Sequence, residues 1–112
     1  MYTFKTCAAQ MTLEIALYCA LKYQNDFSAG VTAAVNHNGD SDSTGAVTGN
    51  ILGAWLGYDA IDDKWKRDLE LAGVILEVAD DLCHGCRMSE VSSYYDSDWA
   101  MKYMEMKRPA VK

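Results

Sequence analysis

Four glycines stand at every fourth position, Gly45, Gly49, Gly53 and Gly57, within the run GAVTGNILGAWLG. Each costs an isolated helix roughly 1 kcal/mol relative to alanine. Yet Ile51, Leu52, Trp55 and Leu56 recur at helical spacing around them. The pattern is consistent with a buried helix whose bare stripe lets other helices pack at close range. A membrane span is excluded, because the uncharged run from Ser43 to Tyr58 is shorter than the roughly 20 residues needed and contains Thr48 and Asn50. Close packing suffices for Gly49, Gly53 and Gly57, which leaves Gly45 as the glycine with a ligand-facing role.

Gly45 closes an acidic turn, His37-Asn38-Gly39-Asp40-Ser41-Asp42-Ser43-Thr44. Alternate carboxylates converge where a backbone wraps round a point, and an oxygen-rich cluster suits a hard cation such as Mg²⁺ or Ca²⁺. Small residues, Gly39 and Ser41 with Gly45, would let backbone N–H groups approach an anionic ligand. The same residue types also make ordinary loops, with Asp42 or Ser43 as a helix cap. Both readings stay open on composition alone. An EF-hand starting at Asp40 is excluded, because its twelfth position must be a bidentate glutamate and is Ile51.

Periodicity gives an all-α chain without a convincing strand. A first helix is expected from Cys7 to Tyr23, burying Ala8, Met11, Ile15, Tyr18 and Leu21. Asn25 or Asp26 then caps a short helix carrying Phe27, Val31, Ala34 and Val35. The glycine-spaced helix follows the acidic turn. A long helix from Asp62 or Asp63 to about Leu82 is expected to bury Trp65, Leu69, Ala72, Ile75, Leu76, Ala79 and Leu82. Asp63–Arg67 and Lys66–Glu70 pairs would support it. Trp99 and Tyr103, with Met101 and Met104 beside them, read as the packing face of a last helix.

The net charge of −6 argues against nucleic acid, which requires a basic face. No signal peptide is evident, since Gln10 and Glu14 interrupt the apolar stretch near the N-terminus, and cytoplasm is the expected compartment. Cys83-His84-Gly85-Cys86 has the spacing of half a zinc site, but Cys7 and Cys19 do not supply a second pair at suitable spacing. The expectation is reduced thiols at a helix end, with Gly85 as the stop. Asp80 and Asp81 are expected to be solvent-exposed, and His37 to be bonded to backbone.

AVNHNGDSDSTGAVTGNILGAWLG resembles the C-terminal signature of the ADP-ribosylglycohydrolase family. LEIALYCALKYQNDFSAGVTAAVN is similar to the preceding helix pair, Asp62-Asp63-Lys64-Trp65 with LELAGVILEVADDL to the helix after, and DWAMKY to the tail of bacterial members. The resemblance implies a compact all-α helical bundle and removal of ADP-ribose from modified proteins with two Mg²⁺ or Mn²⁺ ions. It assigns Asp40, Asp42 and Ser43 as metal ligands, with Ser43 where relatives more often carry threonine. Gln10 and Met11 stand where acidic residues are expected. The family's other ligands belong to an acidic, threonine-containing motif of the N-terminal half, and neither Asp62-Asp63 nor Asp80-Asp81 sits in that context. Residues 1–112 therefore read as a C-terminal part of the domain, complete only with an N-terminal half, or as a helical module that kept the fold without turnover. Apolar faces left uncovered would favour self-association.

Overall fold

A computed structural model describes residues 4–89, 91 and 93–107, with only the backbone of residues 4–7. The chain is helical, and no strand occurs among the described residues. The first unit, Met1–Asp68, contains α1 (Phe4–Lys22), α2 (Phe27–Val35), α3 (Ser41–Leu56), a 3₁₀ turn (Tyr58–Ala60) and α4 (Asp63–Lys66). The second, Leu69–Lys112, contains α5 (Ala72–His84) and α6 (Ser97–Trp99), which runs on into a π-helical turn (Ala100–Met104). None of the described helices is long and apolar enough to cross a membrane.

In the first unit the core is built from small residues. Ala16, Cys19 and Ala20 of α1, Ala34 of α2 and Leu52 of α3 are buried, whereas Met11, Tyr18 and Leu21 are exposed. The buried face of α1 is thus displaced from the bulky stripe that periodicity favours. Close approach explains the shift. A Cβ at Gly30 would collide with Leu52 Cδ1 and lie 3.3 Å from Tyr23 Cβ, so α2 meets its neighbours where it has no side chain. Asp26 caps α2 by accepting from Ala29 N at 2.9 Å, which satisfies one of the orphan donors of the first turn.

Along α3 the buried stripe is Thr44, Thr48 and Leu52, so that of the larger apolar residues Leu52 is covered and Trp55 is exposed. The hydroxyls are tolerated there because each finds a carbonyl. Thr48 Oγ1 donates to Thr44 O at 2.7 Å and Thr44 Oγ1 to Ala34 O at 2.6 Å. Neither is left as an unpaired buried polar group, with the cost that would carry. The glycine stripe divides into separate roles. A Cβ at Gly45 would lie 2.6 Å from Val35 Cγ1, at Gly49 it would make ordinary contact with Phe27 and Val31, and at Gly53 it would meet nothing within 4 Å. Gly57 ends the helix at φ 85°.

The long helix expected from Asp62 to Leu82 is broken. The short α4 is tied back into its own unit: Trp65 Nε1 donates to Ser28 Oγ at 2.7 Å, Ser28 Oγ donates to Asp62, and Lys66 Nζ reaches Tyr58 O at 3.3 Å. Leu71 then takes the left-handed conformation at φ 58° before α5 begins. Lys66 pairs with Asp63 at 3.6 Å, a different partner from the expected Glu70. Leu69, Ile75, Leu76 and Leu82 are exposed, so the expected apolar stripe is not the covered one.

In the second unit the covered face of α5 carries Glu77 and Asp81. Lys102 pairs with Glu77, and with Asp81 at 3.4 Å, while Tyr103 donates to Asp81 Oδ2 at 2.6 Å. Asp81 is therefore a structural acceptor rather than a solvated acid. Glu77 first, then Asp81, raises the Lys102 amine above its ordinary value by bonding the charged form. Trp99 and Tyr103 meet in a tilted ring contact with centroids 4.7 Å apart, as their spacing predicts, whereas Met101 and Met104 stay exposed. Gly85 stops α5 at φ 70°, donating its N–H to Asp81 O at 2.8 Å; Cys83 and Cys86 are free and exposed beside it. The side chain of Cys7 lies outside the described residues.

Candidate functional site

The acidic turn connects α2 to α3: His37 to Gly39 form the loop, Asp40 caps α3, and Ser41 to Thr44 are its first turn. Asp40 is the N-cap, in place of the expected Asp42 or Ser43, and the helix starts at Ser41. Asp40 Oδ1 accepts from Ser43 N at 3.4 Å and Asp42 Oδ1 accepts from the same N–H at 2.9 Å. Two carboxylates thus converge on one amide at a helix start, where the positive end of the dipole favours negative charge. Hydrogen bonding with the Asp42 side chain, then with Ser43, holds the Asp40 carboxyl below its ordinary value. The turn brings together the three residues proposed as cation ligands. Asp40 and Ser43 also line a recess of about 470 Å³, together with Val47 of α3 and with Thr12 and Leu13 of α1.

The small residues of the turn are used internally. Gly39 N–H donates to His37 Nδ1 at 2.9 Å, and Ser41 N–H to Gly39 O at 3.0 Å. Ser41 Oγ donates to His37 O at 3.2 Å. The amides at Gly39 and Ser41, expected to face an anion, are therefore engaged by the turn itself, and the bare face of Gly45 accommodates Val35. His37 is bonded to backbone, as its loop position suggests. Its second contact, Nε2 to Thr44 Oγ1 at 2.9 Å, is one that reading by periodicity missed. The signal lay in Thr44 and Thr48, two hydroxyls four apart on a helix that should be apolar inside.

The chain matches the family model described as ADP-ribosylglycohydrolase over residues 3–91. It belongs to the ADP-ribosylglycohydrolase family. The match takes in α1 to α5 and the acidic turn, and ends before the DWAMKY segment. No curated protein and no solved structure matches the chain. At the level of the family, the assignment is to a hydrolase that acts on ADP-ribosylated substrates and is generally metal-dependent.

The donor chemistry of the turn fits such an ion in part. Two carboxylates and a hydroxyl are the hard oxygen ligands that Mg²⁺ and Mn²⁺ take. Among the described residues, however, no group of three or more His, Cys, Asp or Glu side chains is arranged to hold a metal. The donors of the turn alone do not make a complete cage.

Proposed function

We propose that this chain serves hydrolytic removal of ADP-ribose from modified proteins or related ADP-ribosyl compounds, contributing Asp40, Asp42 and Ser43 to a Mg²⁺ or Mn²⁺ site. The observation that carries the reading is the convergence of the Asp40 and Asp42 carboxylates on the Ser43 amide, inside the segment matched by the family. A divalent ion bound there would supply positive charge for ribose hydroxyls, a water and the developing charge of the reaction. The chain's own part is to hold these oxygens side by side at the start of α3. Gly39 and Ser41 shape the wall of the turn, and with their N–H groups engaged they offer a sugar nucleotide shape and oxygen acceptors rather than amide donors. Gly45 sets the distance of α3 from α2 beneath them. In the proposed division, this chain provides one side of a binuclear centre, and ligands from elsewhere complete it.

Titration of Mg²⁺ or Mn²⁺ into the chain, followed by thermal shift, tests the assignment. The native chain should gain stability with added ion, by the linkage between ligand binding and folding. Asp40→Ala should gain much less; an equal response from both removes the metal assignment. Without the completing ligands, the purified chain should release no measurable ADP-ribose from a modified protein. Release by the chain alone would overturn the one-sided site.

A further inference from the structure

The acidic turn is bracketed by a single side chain that the proposed reaction does not use. His37 lies three residues before Asp40, half-buried, and its ring touches both ends of the segment that carries the ligands. We propose that His37, neutral and protonated on Nε2, is the positioning residue of this turn, bracing Gly39 against Thr44 so that Asp40 and Asp42 are held together over the start of α3. The inference rests on the metal reading of the turn and deepens it.

Proton accounting fixes the tautomer. Gly39 N–H donates to Nδ1 at 2.9 Å, so that nitrogen carries a lone pair. Thr44 Oγ1 has one proton and faces Ala34 O at 2.6 Å, Ser41 O at 3.1 Å and Asp40 O at 3.3 Å. The shortest of these, to the carbonyl of buried Ala34, takes the proton. Thr44 Oγ1 is then an acceptor toward His37, and Nε2 at 2.9 Å must donate. Only the Nε2–H imidazole satisfies both contacts.

The neighbouring residues are shaped around this ring. A Cβ at Gly39 would stand 3.0 Å from Nδ1 and 3.1 Å from Cε1, tighter than ordinary contact, so glycine there admits the imidazole. The His37 carbonyl accepts from Ser41 Oγ at 3.2 Å, a third tie to the same turn. Through these contacts His37 joins the end of α2 to the buried hydroxyl of α3, and the residues between have their ends fixed. Groups that orient metal ligands from behind typically change metal affinity about 10–100-fold when removed.

Two kinds of measurement decide the matter. Imidazole ¹⁵N NMR of the native chain should show His37 in the Nε2–H form, and the Nδ1–H form overturns the proposal. Hydrogen exchange at Ser43 N–H, which both carboxylates cover, should accelerate in His37→Ala without any ion present. With Mn²⁺ as the probe, followed by electron paramagnetic resonance, His37→Ala should bind about 10-fold more weakly or worse. His37→Asn should recover part of the loss, because its Oδ1 can still accept from Gly39 N–H. Should His37→Ala lose its helical circular dichroism, Thr44→Val, which removes the acceptor at nearly constant volume, carries the same test. Unchanged Ser43 exchange and Mn²⁺ affinity in the folded variant, alongside a weakened Asp40→Asn, overturn the brace and leave the metal reading intact. No change in Mn²⁺ affinity for Asp40→Asn overturns the metal reading instead, while the tautomer and the Ser43 exchange still decide the brace.

Discussion

At Gly30 the only thing standing between the backbone of α2 and Leu52 is a hydrogen atom. Its absent side chain lets two helices approach until Leu52 is buried at 1% exposure. Burial of that kind is worth about 1.5–3 kcal/mol. Gly53, eight residues after Gly45 on the same helix, has open space around the position a Cβ would take. Identical substitutions at the two sites should therefore differ in sign. Gly53→Ala should stabilise the chain by up to about 1 kcal/mol, the helix-propensity gain with no contact to oppose it. Gly30→Ala should destabilise it by about 1–3 kcal/mol, the usual cost of forcing extra volume into a packed contact. Urea unfolding followed by helical circular dichroism measures both. A destabilised Gly53→Ala would show that this part of α3 is covered after all.

Sequence legibility also differs residue by residue. The Asp26 cap, the Gly85 stop and the helical run after the acidic turn are local devices, each set by the chemistry of one or two side chains, and all three are present. The buried face of α1 was not legible. Periodicity weights bulky apolar groups, so it favoured Met11, Tyr18 and Leu21, whereas the residues buried there are Ala16, Cys19 and Ala20. Which face is covered depends on partners distant in sequence, as where the Cys19 carbonyl lies 3.8 Å from the place a Cβ of Gly30 would take. The same holds at the site: the carboxylate pair could be read from Asp40-Ser41-Asp42, but the His37–Thr44 contact depends on how α3 lies against the end of α2.

At the scale of elements, the broken helix carries the clearest consequence. Nothing in LELAGVILEVADDL punctuates a helix at Leu71, since leucine is a good helix former. The interruption comes instead from the anchoring of α4 through Trp65, Ser28 and Asp62, after which the chain restarts α5 from a leucine at φ 58° and ψ 24°. A non-glycine residue there carries roughly 1–2 kcal/mol of steric cost. Leu71 is also exposed, so little apolar contact is lost when its side chain is removed. Leu71→Gly should stabilise the start of α5 by about 1 kcal/mol, and Leu71→Val, β-branched at positive φ, should weaken it. Amide exchange of Ile75, whose N–H donates to Leu71 O at 2.9 Å, reports on this first turn. It should slow several-fold in the glycine variant; faster exchange would mean that the left-handed leucine carries no strain.

Across the whole molecule, the balance of covered and uncovered apolar surface runs opposite to what bulk composition suggests. Half the residues are hydrophobic, yet among the described residues the buried apolar ones are mostly alanines, while Leu13, Leu17, Leu21 and Trp55 of the first unit are exposed. Leu17, Leu21, Ile51 and Trp55 line a recess of about 210 Å³ between α1 and α3. Its apolar face is of the kind that takes up small hydrophobic molecules. An environment-sensitive apolar dye should therefore bind the folded chain. Its binding should fall sharply in Leu21→Glu, which places a charge at the mouth of the recess. Leu21 is 71% exposed and contributes little to the core, so the helical signal of that variant should match the native chain. Equal dye binding by the two would place the dye elsewhere, and no binding by either would mean that this face is covered in solution. Helical circular dichroism of the same variant reads the fold directly, so loss of dye binding and loss of fold are separable measurements.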